Sequence, residues 1–406
     1  MKRIPALLCA LIVMVAAAVV QFPSPTGAAT ALVAKRISLN GATVTLSTPA
    51  SWKLSVAATG LNRVRFLTPT PDGRIIATDL KDLSDNTRGA LWMLSGLDAK
   101  TGKFASVTPF LRNLRNPNSV AFLNEAATAT TPARTWLYVA LTDQLVRYPW
   151  KNGDTAPSGP AQQITRFPDF GKPAKEGGWH LTRTVVVGPD GFVYVSVGSS
   201  CDACVEIEKE RASILRMDPE GKKVDVYAAG LRNAVGMVFV GNRLLVTAMG
   251  TDHLGVDSPD ETVYEIKPNA FYGWPSCYQS KGKVRADPTY PQPGGCGKVP
   301  LAITTFAAHS APLGIARFGA DAKDATMRGK YLVALHGSGS PAMKRGYKIV
   351  RFADGGSPED AVTGFQVGGA KAAQRPCGIL VWGTDGFLFT DDKGGNVIWV
   401  RFGSSL

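Results

Sequence analysis

The sequence predicts an all-β fold, a six-bladed β-propeller with long inserted loops, and three observations carry that prediction. A strand–turn–strand unit recurs six times along the 406 residues. Each copy is followed by another short β-rich run, and no segment carries a long amphipathic helical pattern. The clearest copies are GLNRVRFLTPTPDGRIIATDL (Gly60 to Leu80) and GLRNAVGMVFVGNRLLVTAMG (Gly230 to Gly250), which share length, an opening Gly-Leu, a strand, a turn and a second strand. GGWHLTRTVVVGPDGFVYVSVG (Gly177 to Gly198) and RPCGILVWGTDGFLFTDD (Arg375 to Asp392) repeat the design, and looser copies begin at Asn116 and Ala311.

The runs that follow the copies are GALWML, QLVRYPW, SILRMDPEG, ETVYEIKP, YKIVRF and NVIWVRF. Short strands with period-two alternation and turns rich in Asp, Gly and Pro argue for β-structure throughout. Six such units in a row argue for a ring of blades. The stretch KRISLNGATVTLS (Lys35 to Ser47) is expected to give the last blade its outer strand and close the ring.

Residues 1–30 read as a secretory signal peptide, and residues 31–406 as a single propeller domain. Lys2 and Arg3 precede an apolar run from Ala6 to Val20, followed by the small residues Gly27, Ala28 and Ala29. That run is shorter than the roughly 20 residues of a spanning helix. The expectation is an exported protein, periplasmic or extracellular, with no stable membrane span. Of the six cysteines, Cys9 leaves with the signal. An oxidising compartment then favours disulfides, with Cys201 and Cys204 as one candidate pair and Cys277 and Cys296 as another. Cys377 is left over, buried and unpaired. The formal charge of +13 is spread along the chain without a dense basic run or an interleaved aromatic platform. No nucleic-acid partner is expected.

Propellers bind ligands at one end of the central channel, in the loops that lead into the inner strands. His180, one of four histidines, stands just ahead of its first strand, as Arg232, Asn233 and Arg375 do in their own repeats. Equivalent positions converge on the axis, so these four should share one mouth. A base, two permanent cations and an amide there suit an anionic, carbonyl-bearing ligand. After the fourth copy the chain spends extra length on GTDHLGVDSPDE, whose Gly250, Thr251, Asp252, Asp257, Asp260 and Glu261 offer the carbonyl and carboxylate oxygens that a hard cation such as Ca²⁺ takes. The spacing is not that of an EF-hand. Arg183 is either a structural donor or part of the site.

These residues bring out a resemblance. WHLTR with GPDGFVYVSVG, GLRNAVG followed by a Gly-Thr-Asp loop and YGWP, then MKRGYKIVRF and RPCG with TDG, resemble the soluble quinoprotein glucose and sorbosone dehydrogenases, in matching order over nearly the whole chain. The resemblance implies a propeller that holds pyrroloquinoline quinone through calcium and oxidises a small sugar, passing electrons to a quinone or small cytochrome. By motif, His180 matches the general base, Arg232 the group that polarises the quinone carbonyl, and Asn233 a cofactor contact. Gly250 and Thr251 match the carbonyl donors to calcium, and Lys344 and Arg375 match cations near the cofactor's carboxylates. Ser199 stands where glucose-type members carry an aspartate that orients the histidine. A substrate-pocket glutamine of those members has no clear counterpart, though Asn118 lies near. Two other classes remain open from the residues alone: a calcium-dependent, lactonase-like hydrolase and a non-catalytic binding propeller of the cell envelope.

Overall fold

Alternation along the second strand of each repeat places the core between blades. In the first repeat Ile75 and Ala77 pack toward the last blade, with Val64, Leu388 and Val397, while Ile76 between them packs toward the second blade, with Leu137 and Val139. Successive side chains of a strand point to opposite faces, so both faces of each sheet are apolar and each gap between blades is a wedge of core. Six wedges result. Those between the second and third, third and fourth, fourth and fifth, and fifth and sixth blades are built alike.

The computed structural model describes residues 31–169, 179–291, 293–367 and 371–403. The expected secretory segment at 1–30 lies outside them. The inner strands, in ring order, are Val64–Pro69, Ser119–Glu125, Arg183–Val187, Asn233–Val240, Pro312–Arg317 and Pro376–Val381. Each is joined antiparallel to the next two or three strands of its own repeat. Neighbouring inner strands touch all the way round, Pro376–Val381 against Val64–Pro69 included. The six runs read as third strands occupy that place in every blade. Among the described residues no helix is long and apolar enough to cross a membrane.

The closing strand is not the one expected. Trp52–Ala58, rather than Lys35 to Ser47, pairs antiparallel with Asn396–Phe402 and completes the sixth blade. The reason lies in Asn40-Gly41, whose positive φ values of 49° and 80° make the turn that folds a chain back on itself. Leu32–Leu39 and Ala42–Pro49 therefore pair with each other, and this hairpin meets the fifth blade through a Ser47–Thr363 bridge.

Adjacent blades are also stitched by a hydroxyl in the second strand. Thr247 Oγ1 accepts from Gly236 N and donates to the Leu313 carbonyl of the next blade, both at 2.8 Å. Thr390 does the same between Gly378 N and Arg65 O, and Thr78 between Phe66 N and Asn118 O. The glycine is part of the device: a methyl on Gly236 would lie 2.1 Å from the Leu313 carbonyl oxygen. Thr247→Val keeps the shape but strands a buried N–H and a buried C=O. A loss of about 1–3 kcal/mol is expected, measured by urea denaturation at neutral pH.

Candidate active site

At the end of the ring where the chain runs into the inner strands lies a cavity of about 750 Å³. His180, Arg232, Asn233 and Arg375 all line it, together with Gly250, Asp252 and Glu261 of the insert. The convergence expected from their repeat positions is therefore met by four residues that come from three blades.

His180 is fixed by its own blade. Its Nδ1 lies 3.0 Å from the Ser199 carbonyl and 3.1 Å from Ser199 Oγ. Ser199 Oγ gives its proton to the Cys201 carbonyl at 2.7 Å, which leaves only acceptors facing Nδ1. Nδ1 therefore carries the hydrogen and Nε2 keeps its lone pair. Ser199 thus orients the ring from the place of the glucose-type aspartate, without bringing a charge. Burial first, then the nearby Arg232 charge, pushes the imidazole pKa well below 6.5. A methyl on Gly198 would lie 2.5 Å from His180 Cβ and 2.7 Å from Asn233 Oδ1, so only glycine lets these two side chains approach.

The cations around the cavity differ in how they are compensated. Arg232 donates from Nε to the Asp202 carbonyl and from a terminal nitrogen to Asp202 Oδ1, both at 2.8 Å. Arg65 ion-pairs with the fully buried Asp392 at 2.7 Å, and Asp392 accepts from His336 Nε2 at 2.8 Å on its other oxygen. The Arg375 guanidinium donates to carbonyls, those of His336, Gly337 and Ser338, and lies over the Tyr347 ring, with no carboxylate within ion-pair distance among the described residues. A largely buried cation without a counter-charge is a place for an anionic ligand.

The insert divides its acids. Glu261 is buried and accepts from Gly250 N at 2.9 Å; burial lifts its carboxyl to about 7. Asp260, the preceding residue, points away from the cavity, where it accepts from Gly282 N and borders a separate void of about 50 Å³. Asp252 lies 3.0 Å from His309 Nδ1. Asp257 pairs with Arg345. Thr251 Oγ1 lies 2.7 Å from His253 Nδ1.

Three further sites expected from the sequence lie outside the cavity. Arg183 is fully buried and holds the His180 carbonyl at 2.6 Å, so it acts on the backbone of the histidine. Asn118 is fully buried between Arg65 and Thr184, at 3.1 and 3.0 Å. Lys344 is exposed at the end of a short 3₁₀ turn, and its neighbours Ser340 and Met343 line the cavity instead. Cys201 and Cys204 are bonded to each other, as are Cys277 and Cys296. Cys377 is free and buried, its thiol pushed up to about 12.

Sequence reasoning missed Asp202, Arg65 and Asp392. The signal was available for Arg65: aligning GLNRVRF on GLRNAVG puts it opposite Val235, another cavity residue. The electrostatic partners carry no such signal.

No protein-family model matches the chain. An uncharacterized protein of Borreliella burgdorferi is 27% identical over 217 residues, 51% of this chain and 56% of that protein. The chain thus spans about half the length of the curated relative it matches. Among solved structures, the holo form of the pyranose dehydrogenase PQQ domain from Coprinopsis cinerea superposes with a TM-score of 0.68 at 17% identity, covering 88% of this chain and 97% of that one. The PQQ-bound aldose sugar dehydrogenase of Streptomyces coelicolor gives 0.57 at 20% identity, over 87% and 98%. The apo aldose sugar dehydrogenase of Escherichia coli gives 0.60 at 13%, over 86% and 99%. Across almost its whole described length, this chain has the same propeller fold as these sugar dehydrogenases.

Proposed function

We propose that the protein is an exported, pyrroloquinoline quinone-dependent dehydrogenase of sugars or related hydroxyl compounds, with calcium as the second cofactor. The observation that supports it best is the pairing of His180, neutral with its Nε2 lone pair free, and the Arg232 guanidinium on the wall of one cavity. The residues fit the group. Arg375, lacking a carboxylate partner, suits one of its carboxylates, and Asn233 offers an amide to its polar edge. Oxygens of Gly250, Asp252 and Glu261 suit the hard cation. Thr251 lines the separate void rather than the cavity.

When bound, the quinone supplies the two-electron acceptor that no side chain provides. His180 would take the proton from the substrate's hydroxyl oxygen at Nε2 as hydride leaves the carbon that bears that oxygen. Arg232 places fixed positive charge where negative charge develops, in a site that needs little reorganisation. A quinone or small cytochrome then collects the electrons. A metal-dependent hydrolase would bring several side-chain carboxylates onto one ion. Here the two acids that line the cavity, Asp252 and Glu261, come from a single insert, and Asp260 is turned away.

Titration of metal-stripped protein with pyrroloquinoline quinone and calcium tests the proposal, followed by absorbance and by dye reduction with aldoses, sorbosone and simple alcohols. Stoichiometric, calcium-dependent binding with dye reduction is expected. Absence of binding would overturn it.

A further inference from the structure

Asp202 is the most heavily engaged group beside the cavity, and nothing in the proposed chemistry uses it. Its carbonyl accepts from Arg232 Nε at 2.8 Å and Trp274 Nε1 at 3.2 Å. Its carboxylate accepts from the Arg232 guanidinium at 2.8 Å, from Asp252 N at 2.8 Å and from His253 N at 3.0 Å. One residue thus holds both the cation and the insert's loop, which extend from paired strands of one blade.

Asp202 itself sits in a loop of four residues closed by the Cys201–Cys204 disulfide. That loop is gripped from outside: Trp274 packs on Cys201, and the Tyr290 hydroxyl donates to the Ala203 carbonyl at 2.7 Å. The disulfide is no metal site, although Cys201, Cys204 and Glu206 lie close together, because each sulfur is bonded to the other. What it does is remove backbone freedom from the residue that must satisfy Arg232, Asp252 and His253 at once. A flexible loop would lose that entropy again each time the contacts form.

We propose that Asp202 is a positioning residue, fixing the Arg232 guanidinium and the loop 250–253 relative to each other, with the Cys201–Cys204 disulfide as its covalent tether. The inference concerns the same site and rests on the dehydrogenase reading for its kinetic arm alone.

The test compares wild type, Asp202→Asn and Cys201→Ser/Cys204→Ser by hydrogen exchange, cofactor titration and steady-state kinetics. Asp202→Asn is nearly isosteric and neutral, so the fold is retained. Exchange at the Asp252 and His253 amides is expected to rise about tenfold or more in both variants, with protection of the inner strands unchanged. In the kinetic arm, kcat falls about 10- to 100-fold while the substrate KM moves little, a split that a general loss of structure would not produce. Wild-type exchange at these two amides in Asp202→Asn would overturn the positioning role. Wild-type exchange in the cysteine variant would overturn the tether. Faster exchange in a protein that binds no quinone in any form would sustain the positioning role and sink the dehydrogenase reading. Should the cysteine variant fail to fold, wild type treated with a mild reductant, with loss of the Cys201–Cys204 bond followed by mass mapping, gives the same comparison.

Discussion

His180→Ala is expected to lower the turnover of the quinone-loaded protein by about 10²- to 10⁴-fold, the usual worth of a positioned general base, while leaving the affinity for quinone and calcium close to wild type. The argument is geometric. Nδ1 is committed to Ser199, so Nε2 is the atom left to accept a proton. Dye-coupled kinetics beside a cofactor titration separates the two effects. Equal loss of binding and turnover would make His180 a cofactor contact instead. The pH profile carries the same assignment. The base works deprotonated, and burial and Arg232 press its pKa well below 6.5. The acid limb of kcat/KM should therefore lie below pH 6.5, with a plateau through neutrality. An acid limb above 6.5 would contradict a histidine held in this way.

Asp392→Ala is expected to cost about 3–5 kcal/mol of stability, because it strips the counter-charge from buried Arg65 and leaves His336 without its acceptor. Chemical denaturation at pH 7 measures it. The same cluster sets an acid limit. Burial opposes ionisation of Asp392, but His336 and Arg65 outweigh it and hold its pKa well below the usual carboxylate range. Its contribution is therefore present above the unfolded value near 4 and is lost as pH falls toward the folded value. His336 is held by burial at about 4 against about 6.5 unfolded, so stability declines from pH 6.5 down to 4 as the unfolded chain takes up the proton first. Glu261, raised to about 7, acts in the opposite sense between about 4.5 and 7. Comparing wild type with Asp392→Asn across pH cancels Glu261, and the variant should show a shallower decline below pH 4. An equal slope in both proteins would remove Asp392 from the account.

How much of this was legible in the chain depends on the range of the interaction. Strand alternation, Gly-containing turns and the repeat itself are local, and they yielded the six blades and the third strand of each. The one misplaced strand came from the same local rules: Asn40-Gly41 is a hairpin signal, and it turned Lys35 to Ser47 back on itself before it could reach the last blade. Repeat position carried the site as far as His180, Arg232, Asn233 and Arg375, because residues at equivalent points of a closed ring must meet at its axis.

Side-chain direction in the insert was beyond reach. Asp260 and Glu261 are adjacent acids at the start of a strand, and alternation sends one to Gly282 and the other to the cavity. Composition counts them alike. Lys344 was assigned by its match to the Lys-Arg-Gly motif of the family it resembles, yet a turn ending in the left-handed conformation, with φ of 54°, leaves it exposed. The sequence alone determined the architecture and the residues that face the axis, since both follow from periodicity. Only the tertiary structure decided which charges compensate one another. Arg65 and Asp392 are 327 residues apart, and Asp202 reaches loops 30 and 50 residues further on. Closing the ring brings such pairs within hydrogen-bonding distance in low dielectric, and no local pattern along the chain records which partners will meet.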